Sequence, residues 1–261
     1  MRQHSHPSTS IFFWLVAAFL VLPILVTASV SITSDTFIAF PPKGFSLRWY
    51  AELGESPEWR QAILNTLLVG SLCAIVATAT GTMAAYGISR IENRMLRDAL
   101  LIVFLAPLAV PYMSLGMAMY PVFAKLGMIG TRTAVGLAQT VLSIPFVVLA
   151  VTSTIKRRDQ VLEGAARTLG ASPVRAFWHV GLPLMLPGVA AGAILSFMTS
   201  FDDVVMPIFL GGFSASTLPK TMLDALFQRS DPSVMAASTA VSLVGILLFI
   251  GLSALSERRA K

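Results

Sequence analysis

Hydrophobic positions in this chain come in long unbroken runs separated by short polar stretches, rather than alternating or recurring on one helical face. Six runs are long enough to cross a bilayer core of about 30 Å as helices. They are Ile11 to Ile32, Ala62 to Ile88, Ala99 to Phe123, Ala134 to Ile155, Leu184 to Leu210 and Val234 to Leu255. This pattern predicts an all-α integral membrane protein of six transmembrane helices, since helices satisfy every backbone polar group within their own segment. The first run exceeds the apolar region of a signal peptide and lacks a small-x-small cleavage site before a soluble domain. It is read as a retained helix. Thr33 to Gln61 is polar, carries Pro41, Pro42 and Pro57, and is expected to be an external loop, with Trp49, Tyr50 and Trp59 as interface anchors. Gly211 to Ser233 is the second sizeable external segment.

Composition agrees with this reading. Of 261 residues, 55% are hydrophobic and 12% charged, against roughly a quarter charged in soluble domains. The net charge of +6 follows from topology. With the N-terminus inside, the cytoplasmic segments hold Arg2, Arg90, Arg94, Arg97, Lys156, Arg157, Arg158, Arg167, Arg175, Arg258, Arg259 and Lys261. The opposite side holds Lys43, Arg48, Arg60, Lys125, Arg132, Lys220 and Arg229. Twelve against seven places both termini in the cytoplasm. No basic stretch is interleaved with aromatics, so nucleic acid is not an expected partner. The single cysteine, Cys73, cannot form an intrachain disulfide. His4, His6 and His179 lack the spacing of a shared metal site. No nucleophile elbow and no phosphate-binding loop of the GxxxxGK[ST] type occurs. No catalytic group, metal or cofactor is expected.

Prolines stand inside the runs at 107, 111, 145, 187 and 207. They are expected either to kink helices packed among neighbours or to break helices that line a translocation path. Gly188 and Gly192 form a small-xxx-small pair suited to close helix packing.

The segment Lys156 to Gly188, between the fourth and fifth runs, is the most informative. Asp159 can cap a short helix to about Leu169, with Val161, Leu162, Ala165, Ala166 and Leu169 on one face. Glu163 and Arg167 stand four apart on the polar side, in the favourable order. Gly170 is placed to stop that helix in a left-handed conformation. Ser172 then caps a second short helix starting at Pro173, with an apolar face of Val174, Phe177 and Trp178, and Pro183 ends the unit. Two such helices cannot bury their apolar faces alone. They rest on the bundle, on lipid headgroups or on another protein.

The same segment resembles the cytoplasmic loop of binding-protein-dependent ABC importer permeases, whose pattern is Glu-Ala-Ala, three residues, Gly, a spacer and Leu-Pro. Ala165, Ala166, Gly170, Leu182 and Pro183 match it, and Ala171 follows the glycine. Further resemblance lies in Asn65-Thr66, Tyr86-Gly87-Ile88-Ser89-Arg90, Thr199-Ser200-Phe201-Asp202-Asp203-Val204-Val205, Thr217-Leu218-Pro219 and Asp231-Pro232-Ser233, from about Ile63 to Leu255. In one departure, Gly164 stands at the family's glutamate position. Glu163, one residue earlier, is rotated by about 100° on a helix, away from the family's usual contact. The resemblance implies a type I importer permease fold in a bacterial inner membrane. The first helix and external loop would occupy 1–60, the core of five helices with coupling loop 156–187 would occupy 61–256, and the cytoplasmic tail 257–261. It implies a coupling helix that docks on one of two cytoplasmic ATPase subunits, a second and non-identical permease, an extracytoplasmic substrate-binding protein, and ATP hydrolysis confined to the ATPase.

Asp202 and Asp203 fall in an apolar run, where a charge costs about 3 kcal/mol on insertion scales. They lie either at a boundary bonded to backbone or in a cavity as a cation-attracting site on the pathway. The Phe-Asp-Asp run resembles the spermidine/putrescine branch, which implies a polyamine cargo. Aminoethylphosphonate, opines, thiamine and ferric iron are the alternatives within that branch, and a stand-alone secondary transporter is the rival outside it.

Overall fold

The computed structural model describes the backbone of residues 7–155 and 157–260 and the side chains of residues 12–155 and 161–246. Arg2, His4, His6, Lys156 and Lys261 lie outside the described residues, as do the side chains of Arg157, Arg158, Asp159, Arg258 and Arg259. The regular structure among the described residues is helical. Eleven α-helices follow one another: α1 (Pro7–Ser31), α2 (Arg48–Glu55), α3 (Pro57–Ser89), α4 (Arg94–Leu105), α5 (Tyr112–Lys125), α6 (Arg132–Thr154), α7 (Arg157–Thr168), α8 (Pro173–Ala176), α9 (Leu182–Asp202), α10 (Leu218–Gln228) and α11 (Ser233–Ala260).

Four helical stretches among the described residues are long and apolar enough to cross a membrane: Phe12–Ser31, Pro57–Ser89, Arg132–Thr154 and Pro173–Asp202. The expected third span is not one straight helix. Arg94–Ala109 and Tyr112–Lys125 meet at a 99° bend. The cause is local. A 3-10 turn over Ala106–Ala109 follows α4, and Val110 and Pro111 are then extended, with ψ of 131° and 132°. Pro111 disfavours a helical conformation at Val110 and has no N–H to continue the ladder. Pro145 and Pro187, by contrast, lie inside α6 and α9 without ending them. The sixth run is helical throughout Ser233–Ala260 and apolar over Ser233–Ile246, where the described side chains stop.

The chain forms two compact units, residues 1–60 with 221–261 and residues 61–220. In the first, α1 packs on α11, and α11 packs on α2. Phe12, Trp14, Phe19 and Leu22 on α1 are exposed, as side chains facing lipid tails must be. The Tyr50 and Ser31 hydroxyls share a hydrogen bond of 2.8 Å, and Arg229 pairs with Glu58. Trp49 and Trp59 are buried. The anchoring role expected of them at the membrane surface is corrected accordingly: both rings are covered by protein.

In the second unit α6 is central and runs along α9. Val135, Ala138, Leu142, Met206 and Leu210 form one core cluster. Ala77, Ala85, Val147, Val151 and Met185 form another. The helices approach closely at glycines. A Cβ on Gly188 would lie 2.7 Å from the Ala150 carbonyl oxygen, and one on Gly192 would lie 3.1 Å from the Val147 Cα. The small-residue pair thus does the packing its spacing predicts.

Candidate functional site: the loop between α6 and α9 and the break after α9

The loop between α6 and α9 is built as two short helices turned against each other. α7 begins at Arg157, ahead of Asp159. It ends at Thr168, and Gly170 in the turn beyond it has a φ of +94°, the left-handed conformation inferred from sequence. Gly170 N–H donates to the Arg167 carbonyl at 3.0 Å, and Ala171 N–H to the Ala166 carbonyl at 3.1 Å. Ser172 caps α8, its hydroxyl oxygen accepting from the Arg175 N–H at 3.3 Å, with Pro173 next. Contrary to the expectation from sequence, Pro183 does not end the unit. The helix continues from Pro173 to Asp202 through a π-helical turn over Phe177–Gly181, where the Leu182 N–H reaches back to the Phe177 carbonyl. A proline ring in a regular helix strikes the carbonyl four residues earlier, here that of His179. Widening the turn by one residue relieves that clash.

Glu163 does not lie on the polar outer side of α7 beside Arg167. It is 4% exposed and faces the end of α3. Its carboxylate accepts from the Tyr86 hydroxyl and from the Arg90 guanidinium. That guanidinium also lies 4.8 Å above the Tyr86 ring, and Phe177 meets Tyr86 edge-on at 4.8 Å and 67°. The outer surface of α7 is left open. Val161, Leu162, Gly164 and Ala165 are exposed, Ala166 is half-buried, and Leu169 is 89% exposed. Of the residues that resemble the family loop, Ala165, Gly170 and Pro183 are exposed and Ala166 and Leu182 are partly covered, as is Ala171 after the glycine. Val174 and Trp178 extend the exposed apolar surface. A groove of about 590 Å³ lies beside it, lined by Thr82, Tyr86, Phe177, Trp178 and Leu182 among others.

The two aspartates separate. α9 ends at Asp202, and Asp203 is extended, with φ −76° and ψ 124°. Asp203 is 5% exposed and fully engaged. It accepts from Gln139 Nε2 at 2.9 Å, Val205 N–H at 3.0 Å and Met206 N–H at 3.2 Å. It therefore caps the helical turn that follows the break. Gln139 is held in turn by the Ser200 hydroxyl, which donates to its amide oxygen at 2.5 Å. Asp202 is exposed.

In sequence, Asn65-Thr66 carries only a family resemblance. In the structure Asn65 is fully buried and uses every polar atom it has. Its amide N–H groups donate to the carbonyls of Ser214 and Ser216 at 3.1 and 2.7 Å. Its oxygen accepts from Gln61 at 2.9 Å and Arg132 Nε at 2.6 Å. Thr66 Oγ1 accepts from the Leu218 N–H at 2.7 Å. A polar pair opening an apolar span was the signal. Gln139 stood inside another such span and was missed.

The comparisons with known proteins agree with this architecture. The family model described as "Binding-protein-dependent transport system inner membrane component" matches residues 77–261, more than half of the chain. The chain is 30% identical over 251 residues to the spermidine/putrescine transport system permease protein PotC of Haemophilus influenzae, covering 95% of each chain. It is 29% identical over 239 residues to the putrescine transport system permease protein PotI of Escherichia coli, covering 89% of this chain and 85% of the relative. It is 28% identical over 242 residues to the molybdenum transport system permease protein ModB of Mycobacterium bovis, covering 86% and 91%. A chain of a solved bacterial ABC transporter for alginate import shares the fold at TM-score 0.69 and 17% identity, over 96% of this chain and 94% of that one. The chain belongs to the binding-protein-dependent inner-membrane permeases of ABC importers.

Proposed function

We propose that this permease carries a polyamine-like cation across the inner membrane, with both termini in the cytoplasm, and that the α7–α8 loop is its coupling element. The observation that carries the coupling role is the pairing of an exposed apolar outer face with a fixed inner one. Leu162 and Leu169 stand open while Glu163 is tied to the end of α3. An apolar face of this kind is stabilised by burial at about 25 cal/mol per Å², and a cleft on a cytoplasmic ATPase would supply that burial. The matched Ala165, Ala166, Gly170, Leu182 and Pro183, with Glu163, Gly164 and Ala171, make up the coupling unit. Two ATPase copies, a second and non-identical permease and an extracytoplasmic binding protein complete the machine. This chain contributes no hydrolytic chemistry of its own.

The cargo assignment rests on two supports. Relatives at 29–30% identity are permeases of putrescine and spermidine/putrescine systems, although a molybdenum permease stands close behind at 28%. The exposed carboxylate of Asp202, at the break that ends α9, is a group suited to a passing ammonium, while Asp203 shapes the turn that presents it. Uptake of radiolabelled putrescine, spermidine and molybdate by cells expressing the complete system tests the assignment. Uptake of either polyamine supports it. Uptake of molybdate alone overturns it.

A further inference from the structure

We propose that Glu163 is an internal latch that fastens the coupling helix α7 to the end of α3 through Tyr86 and Arg90, so that a push on α7 moves α3. This rests on the coupling role given to the loop above. The geometry joins three elements at one carboxylate. One oxygen accepts from the Tyr86 hydroxyl and the other from the Arg90 guanidinium, both at the end of α3. Phe177, in the π-helical turn leading into α9, packs edge-on against Tyr86. Gly181, at the end of that turn, leaves the carboxylate its room: a Cβ there would lie 3.1 Å from Glu163 Oε2.

The placement explains why a carboxylate one residue ahead of the family's glutamate position, and two ahead of the matched alanines, is useful where it stands. Val161, Leu162, Gly164 and Ala165 on either side of it are exposed. Glu163 alone of that run turns inward, toward a helix of 33 residues, roughly 50 Å long at 1.5 Å per residue. Such a helix carries a displacement at its cytoplasmic end across the whole bilayer. Glu163 is a positioning residue: its partners belong to this chain, and the outer face of α7 remains free for the ATPase.

The experiment is a double-mutant cycle on the complete reconstituted transporter. Complex yield and substrate transported per ATP hydrolysed are measured for Glu163→Gln, Arg90→Gln and the double variant. Each single change should lower the transport-to-hydrolysis ratio by about tenfold, within the usual range of coupling between sites, and the double should be no worse than either single. A ratio left at wild type by either single, or losses that multiply in the double, overturns the latch. If Arg90→Gln does not assemble, Tyr86→Phe replaces it in the cycle, deleting one donor without changing shape. If Glu163→Gln does not assemble, recovery of assembly in the double supports the latch and failure to recover overturns it. Leu169→Glu tests the coupling role separately. Retention of the ATPase by that variant defeats the docking surface, whatever the cycle reports.

Discussion

Gln139 on α6 donates a 2.9 Å hydrogen bond to the carboxylate of Asp203, the first residue beyond α9. This bond fixes where α9 stops. The carboxylate also caps the turn that follows, accepting from Val205 and Met206, and the Gln139 oxygen accepts from Ser200. Removing one member leaves buried groups without partners, which costs about 1–3 kcal/mol each. Asp203→Ala is therefore expected to lower the thermal stability of the detergent-purified complex, and Gln139→Leu to do so by a similar amount. Asp202→Asn should leave stability unchanged and lower polyamine uptake. A stability loss in Asp202→Asn equal to that in Asp203→Ala would contradict the separation of roles.

Gly170 permits a test of backbone conformation free of crowding. A Cβ there would meet nothing within 4 Å, yet φ is +94°. The expected cost of Gly170→Val is therefore strain alone, on the order of 1–3 kcal/mol, delivered between the two short helices of the loop. Insertion should be normal and transport should fall. Gly170→Asn, which tolerates positive φ better, should retain more transport than Gly170→Val. Equal transport in the two variants would show that the turn's handedness is unimportant.

Gly188 tests the opposite case, crowding without strain. Its missing Cβ leaves room for the Ala150 carbonyl at 2.7 Å and the Thr154 hydroxyl at 2.5 Å. A carbonyl in a helix cannot swing aside, so α6 and α9 must part. Overpacking of this kind costs typically 1–3 kcal/mol. Gly188→Ala should lower the melting temperature of the complex more than Gly192→Ala, whose nearest neighbours stand at 3.1 Å. The reverse order would show that α6 and α9 pack differently.

Long apolar runs made the helices legible, and local capping chemistry made the loop between α6 and α9 legible down to Gly170 and Ser172. What sequence missed depends on partners far along the chain. The inward turn of Glu163 is decided by Arg90 and Tyr86, more than seventy residues away, and no helical wheel of α7 contains them. The passage of the helix through Pro183 depends on a π-helical turn with no signature of its own. The 99° bend at Val110 and Pro111 was signalled by Pro107 and Pro111, but the same residue at 145 and 187 ends nothing. A proline marks where a helix can break, and packing decides whether it does.

Asn65 offers a test in which two physical accounts predict opposite signs. Its oxygen faces Arg132 and Gln61, and its amide nitrogen faces the carbonyls of Ser214 and Ser216. If attraction to the Arg132 guanidinium dominated, Asn65→Asp would strengthen the site by turning a neutral acceptor into a charged one. The geometry argues otherwise. Aspartate has no N–H, so two donors are lost, and a carboxylate oxygen is pressed against two carbonyl oxygens in a fully buried position. Charge buried against acceptors costs more than a missing bond. Asn65→Asp is therefore expected to destabilise the complex at least as much as Asn65→Ala, despite the arginine. Both should loosen the segment 214–218 that Asn65 and Thr66 hold against α3. The readouts are melting temperature in detergent and protease cleavage within that segment in sealed cells, where it is expected to face outward. A higher melting temperature for Asn65→Asp than for wild type would mean that the arginine governs the site and that the carbonyl contacts are incidental.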